Sequence, residues 1–274
     1  MRLFHFTAVA FSLVASVTAL NAAEQKPLRA LLITGGCCHE YGKQKDILKK
    51  GLEARANIIV DQIHTDDKST KPPLAILGNP DYAKGYDVVI HDECSSDVSD
   101  PKLIKDVLAP HRAGIPGVNL HCAMHSYRVG NPGQKAEAGS ERSQWFDYLG
   151  LQSSAHGAQL PIAIKFNKDH EIVKSLGDWE TIKEELYNNI QIFPTATPLA
   201  RGTQVTPQKD GTTKDVTHVV AWVNQFGNTR VFSTTIGHNS ATVQDDRYME
   251  LVTRGLLWAC GKKESDYVKT PAAK

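Results

Sequence analysis

The order of apolar runs between Leu28 and His121 constrains this chain more than any other feature of it. Leu28 to Thr34 (LRALLIT) is a short continuous apolar run that ends in Gly35-Gly36, which reads as a buried strand followed by a tight turn. Lys43 to Ala56 then has helical spacing, with Ile47, Leu48, Leu52 and Ala56 on one side. Asn57 to Ile63 and Tyr86 to His91 read as the second and third strands, Pro101 to His111 as a helix, and Gly117 to His121 as a fourth strand. Strand, helix, strand, strand, helix, strand predicts an α/β fold with a parallel sheet and crossover helices.

The second half is less regular. Leu160 to Phe166 alternates, Asn188 to Phe193, Thr217 to Val223 and Arg230 to Ile236 read as strands, and Tyr248 to Cys260 as a closing amphipathic helix. The helix-poor stretch between them implies an irregular β-rich insertion or an antiparallel extension of the same sheet. Residues 1–23 carry Arg2, an apolar run through Phe11, Leu13 and Val14, and a small-residue end at Ala22-Ala23, the form of a secretory signal peptide. Ser and Thr interrupt that run and no charged stop-transfer flank follows, so stable membrane insertion is not expected. We therefore expect an exported protein, periplasmic or secreted, with one α/β domain over residues 24–262 and a frayed polar tail over 263–274.

The leader holds one basic residue and no acidic one, so the 31 Lys and Arg and 30 Asp and Glu of the full chain become equal in number without it. A neutral surface excludes nucleic acid as the main partner. Five cysteines lie beyond the leader with no CxxC spacing. The odd count leaves at least one unpaired, and a bridge from Cys37 or Cys38 to Cys94 or Cys122 is expected in preference to one between the adjacent pair. Neither GxGxxG nor GxxxxGK[ST] occurs, which argues against a nucleotide cofactor.

Histidine placement is the functional signal. His39, His91, His121, His125 and His238 all fall at or just beyond strand C-terminal ends. In an open parallel sheet those ends converge on one edge, where loops form the ligand crevice. His121 and His125 stand at i and i+4; on a helix both would face one metal, while the alternative has His125 packing inward. No HExxH or Cys2His2 spacing accompanies them, so a divalent metal such as zinc is inferred from clustering alone.

Several separated segments together resemble the ThuA-like, or trehalose-utilisation, family of the class I glutamine-amidotransferase-like superfamily: LLITGGCCHEYGK (31–43), GVNLHCAMHSYR (117–128), WFDYLG (145–150) followed by His156-Gly157, DHEIVKSL (169–176), EELYNNI (184–190) and the stretch from Arg230 to Gly261. The resemblance implies a flavodoxin-like open, mainly parallel sheet with helices on both faces. It places His39, His121, His156 and His238 near the pocket centre with Glu185 and Tyr187 beside them. His39, His121, Glu185 and His238 are then the catalytic candidates, His39, His121 and His156 the metal ligands, and His125, Tyr127, Trp145 and Tyr187 the substrate contacts.

The match also departs from the amidotransferase pattern. Where those enzymes carry a nucleophilic cysteine in a Gly-x-Cys-x-Gly elbow, this chain has His121, with Cys122 one residue later and no flanking glycines. Thiol chemistry is thus disfavoured, and the family context implies breakdown of disaccharides or their 3-keto derivatives. The expected activity is cleavage, by hydrolysis or elimination, of a glycoside or 3-keto-glycoside. A non-catalytic sugar-binding protein is the alternative, with Tyr127, Trp145, Phe146 and Trp222 as stacking platforms.

Overall fold

A computed structural model describes residues 25–269; the proposed leader lies outside them. Strand β1 (Leu28–Gly36) pairs in parallel with β2 (Ile58–Thr65) on one side and β3 (Val88–Cys94) on the other. β4 (Gly117–Leu120) and β11 (Thr229–Thr234) continue the parallel array. From β11 outward the sheet turns antiparallel through β10 (Thr213–Phe226), β9 (Ala196–Pro207), β6 (Ala163–Phe166) and β7 (Trp179–Glu180). The resulting nine-stranded order is β2-β1-β3-β4-β11-β10-β9-β6-β7. A separate two-stranded ribbon joins β5 (Leu151–Leu160) to β8 (Glu184–Ile192).

Successive strand side chains point to opposite faces, and both faces of the parallel half are covered. Ala30 and Leu32 join the core that includes Leu48 and Leu52 of α1 (Tyr41–Arg55), Val243 of α4 (Ser240–Gln244) and Leu251, Val252 and Leu256 of α5 (Asp246–Ala259). Leu31 and Ile33 face Ile104, Val107 and Leu108 of α2 (Pro101–Arg112) and Trp145 and Leu149 of α3 (Gln144–Leu149). Each fully buried leucine or isoleucine contributes about 1.5–3 kcal/mol through burial. The helix starts are also written locally: Asp100 accepts a hydrogen bond from the Lys102 N–H at 2.8 Å with Pro101 in the first helical position. Asp245 does the same for the Arg247 N–H at 2.9 Å. Among the described residues no helix is long and apolar enough to cross a membrane.

Four details depart from expectation. Strand β9 falls in a segment carrying Pro198, Gly202 and Pro207, residues that mask a strand pattern. β3 runs on to Cys94, which puts His91 inside the strand. His121–His125 forms a 3-10 turn; with three residues per turn, positions i and i+4 no longer share a face. The expected frayed tail instead begins with α6 (Glu264–Tyr267), where Tyr267 is buried, Val268 bridges to Ala56 and the Lys269 N–H bonds the Arg55 carbonyl at 2.8 Å.

Candidate functional site

Three loops leaving parallel strands deliver one histidine each. His39 follows β1, His121 follows β4, and His238 follows β11 beyond the turn Thr235-Ile-Gly237. Their ring centroids are 4.6 Å apart for His39 and His121, 4.7 Å for His39 and His238, and 5.4 Å for His121 and His238. One nitrogen from each lies within 4.8 Å of the other two. Glu185, on β8, reaches over the group: its carboxylate is 3.5 Å from His121 Nε2, 3.2 Å from His238 Nδ1 and 3.6 Å from His156 Nδ1. A cleft of about 360 Å³ opens beside His39, lined also by Glu40, Tyr41, His64 and Asp66.

Hydrogen bonds fix the roles of the rings. His121 Nδ1 lies 2.6 Å from the Thr235 carbonyl, which can only accept, so this nitrogen carries the proton and Nε2 presents its lone pair to the site. The Tyr187 hydroxyl, 3.4 Å from that Nε2, is a donor to it. His39 Nδ1 is buried with no hydrogen-bond partner, and so is His238 Nδ1, whose 3.2 Å approach to Glu185 is off the line of an aligned hydrogen bond. Three imidazoles gathered this closely, two with an orphaned nitrogen and one with a lone pair turned to the site, form a donor set that suits a zinc-like divalent cation.

The charges follow from the same geometry. Burial, reinforced by the charges of His121 and His238, pushes the His39 imidazole down to about 2, so it is neutral at any physiological pH. Burial works against charge on Glu185, yet the closeness of His121 and His238 outweighs this and holds the carboxyl well below the usual range. The contact with Glu185 in turn raises His238. The site is therefore an ionised carboxylate facing imidazoles at the sheet edge.

Other expected site residues fall elsewhere. His156 is exposed on β5 and outside the close group of nitrogens, so His238 takes the place expected for it beside His39 and His121. His125 is turned inward, 2.8 Å from Ser153 Oγ and stacked on Tyr187 with centroids 4.1 Å apart. Tyr127 and Trp145 are core residues: the Tyr127 hydroxyl donates to Glu93 at 2.7 Å, and Trp145 Nε1 donates to the Ala123 carbonyl at 2.8 Å. Phe146 and Trp222 are buried as well, which removes the stacking platforms of the sugar-binding alternative. His91 is wholly buried, bonded to Glu93 at 2.8 Å and His111 at 3.1 Å.

The cysteines also differ from expectation. Cys37 and Cys38 bridge each other, while Cys94 and Cys122 are buried thiols. Cys94, then burial, pushes the Cys122 thiol well up. The adjacent pair is joined because Gly36 and Cys38 both take left-handed backbone, at φ 101° and 81°, which folds the Cys37-Cys38 step back on itself. At Gly36 any side chain would strike the Cys94 carbonyl.

Two supporting residues gave no signal in sequence. Glu184 is fully buried, and its carboxylate accepts the backbone N–H groups of Gly237 (3.3 Å), His238 (2.9 Å) and Asn239 (3.2 Å), so it fixes the turn that carries His238. The Gln159 side-chain amide lies 2.7 Å from His238 Nε2 and 3.5 Å from Glu185. Adjacent acids on a strand point to opposite sides, so one arm of the Glu184-Glu185 pair clamps backbone and the other faces the histidines.

The chain matches the family described as ThuA, trehalose utilisation, over residues 29–259. It is similar to the crystal structure of a ThuA-like protein from Parabacteroides merdae, with TM-score 0.61 and 19% identity over 86% of this chain and 91% of that one. A ThuA-like protein from Bacteroides uniformis superposes with TM-score 0.57 at 16% identity, covering 88% and 94% of the two chains. No curated protein matches the sequence. The family match spans almost all of the described residues, and the chain belongs to the ThuA, or trehalose utilisation, family.

Proposed function

We propose that this protein is an exported carbohydrate-active enzyme that cleaves a 3-keto-glycoside by elimination, with Glu185 as the base and a divalent cation held by His39, His121 and His238. The observation that carries this reading is the Glu185 carboxylate set within 3.6 Å of three imidazole nitrogens at the C-terminal edge of the sheet. The family description, trehalose utilisation, supports a sugar as the substrate class. A ketone at C3 of a sugar acidifies the proton on C2. Glu185 takes that proton, the C1–C2 double bond forms, and the C1–O bond to the aglycone breaks. His156, exposed and 3.6 Å from Glu185, stands where it can give a proton to the departing oxygen. A zinc-like cation, when bound, supplies Lewis acidity toward the C3 carbonyl. Tyr187 holds His121 by its hydroxyl and keeps His125 stacked behind it.

The test is release of aglycone from a 3-keto-glucoside by purified protein, with metal content measured in the same preparation. Glu185→Gln is expected to lower turnover by about 100-fold or more while leaving the melting temperature within a few degrees. Absence of any released aglycone with zinc, manganese, cobalt or magnesium added would refute the proposal.

A further inference from the structure

Beside the histidine site, and not used by it, lies a line of four sulfur atoms. The Cys37–Cys38 bridge sits at the end of β1, with Cys38 exposed and Cys37 half-buried. Cys37 Sγ is 3.5 Å from Cys94 Sγ, and Cys94 Sγ is 2.8 Å from Cys122 Sγ. Both inner thiols are buried, at 3% and 6% exposure, and with Tyr41 they form a small apolar cluster of their own.

The fold sets this line up at several independent points. The β1 to β3 register places Gly36 opposite Cys94, so the residue after Gly36 must lie next to that thiol. Ser126 Oγ, hydrogen-bonded to the Ser95 N–H and the Glu93 carbonyl at 2.8 Å each, ties the 3-10 turn carrying Cys122 to the end of β3. A disulfide with a free thiol in contact with one of its sulfurs, and a second free thiol in contact with the first, has the arrangement that thiol–disulfide exchange requires.

We propose that Cys37, Cys38, Cys94 and Cys122 form a disulfide-exchange site in which the bridge migrates between the surface pair Cys37–Cys38 and the buried pair Cys94–Cys122. In the first step Cys94 gives up its thiol proton and its sulfur attacks Cys37 Sγ. The Cys37–Cys94 bond forms, the Cys37–Cys38 bond breaks, and the electron pair leaves on Cys38, which takes a proton from water. In the second step the Cys122 sulfur, having lost its proton, attacks Cys94 Sγ. The Cys94–Cys122 bond forms and the pair leaves on Cys37, which is then protonated. The sequence begins and ends with one disulfide and two thiols, so no oxidant or reductant is consumed. Its accessible end is Cys38, one residue before His39, and the exchange exposes a thiol at the mouth of the histidine site.

The experiment uses the full protein purified in oxidised form and freed of all small thiols. The folded protein is incubated with N-ethylmaleimide and mapped by mass spectrometry, with Cys260, which lies outside the cluster, as the internal reference. Cys38 is expected to gain label without any reductant, at a rate independent of protein concentration, while a Cys94–Cys122 or Cys37–Cys94 linked peptide accumulates. In Cys94→Ser, labelling at Cys38 should fall by about tenfold or more and return on adding dithiothreitol. Cys94→Ala provides the same comparison should the serine variant not fold. Cys38 that stays unlabelled in the unsubstituted protein yet reacts once dithiothreitol is added would overturn the proposal. Equal labelling with and without Cys94, or four free thiols in the oxidised protein, would do so too.

Discussion

Replacing Glu184 by glutamine isolates the clamp on the His238 turn. The carboxylate sits fully buried and accepts three backbone N–H groups, two on one oxygen and one on the other. An amide offers one oxygen: it can keep the bonds to Gly237 and His238, but its NH₂ then faces the Asn239 N–H, donor against donor. Hydrogen bonds to a charged acceptor are worth about 1.5–3 kcal/mol and neutral ones about 0.5–1.5 kcal/mol, while an orphaned buried donor costs about 1–3 kcal/mol. The lost desolvation penalty of the charge offsets part of this, leaving a net cost of about 2 kcal/mol. For a domain of this size that lowers the melting temperature by about 4–8 °C, read by scanning calorimetry. Because the same turn sets the position of His238, zinc affinity by titration calorimetry should fall by about tenfold. Glu180→Gln, an exposed carboxylate on β7, is the control and should change neither quantity. A Glu184→Gln protein with unaltered melting temperature and unaltered zinc affinity would refute the clamp.

Two further outcomes follow from residues away from the site. Burial, then the nearby His91, pushes His111 down to about 3, so in acid it stays neutral in the folded chain but becomes charged in the unfolded one. Its contribution is therefore intact above the unfolded value near 6.5 and is lost as pH falls toward 3. At pH 4.5 the loss is about 2–3 kcal/mol, and urea unfolding of His111→Gln should show a correspondingly flatter slope between pH 6.5 and 4.5. Trp145→Phe removes the indole bond to the Ala123 carbonyl and leaves a partial void beneath the 3-10 turn. It should lower stability by about 1–3 kcal/mol with no change in affinity for any sugar, whereas a selective loss of sugar affinity would return Trp145 to the site.

How far the site was legible depended on what each residue needed from the chain. His39, His121 and His238 were visible because position relative to a strand end is a local property, and parallel strand ends share an edge by topology. The same rule misplaced His91, since a strand's last residue is set by pairing with its neighbours; β3 continues three residues further beside β1. Glu185 and Tyr187 came from family resemblance, with no local pattern to mark them. Glu184 and Gln159 had no signal at all, because each acts on residues more than fifty positions away. The aromatic residues were misread for a related reason: a tryptophan that packs a core and one that stacks a sugar look alike in sequence until burial is known.

The sequence by itself determined the parallel half of the sheet, its two covering layers, and the gathering of histidines at one edge, since apolar periodicity and strand order are enough to dictate these. Tertiary structure alone decided which nitrogens converge, which carboxylate clamps and which faces the histidines, and which sulfurs touch. Those outcomes turn on distances of an ångström or two between segments far apart in the chain, and local periodicity carries no information about them. Cys37 and Cys38 mark the boundary: sequence made a bridge to Cys94 or Cys122 the natural expectation, and two left-handed backbone residues closed the adjacent pair instead, leaving the other two thiols within reach.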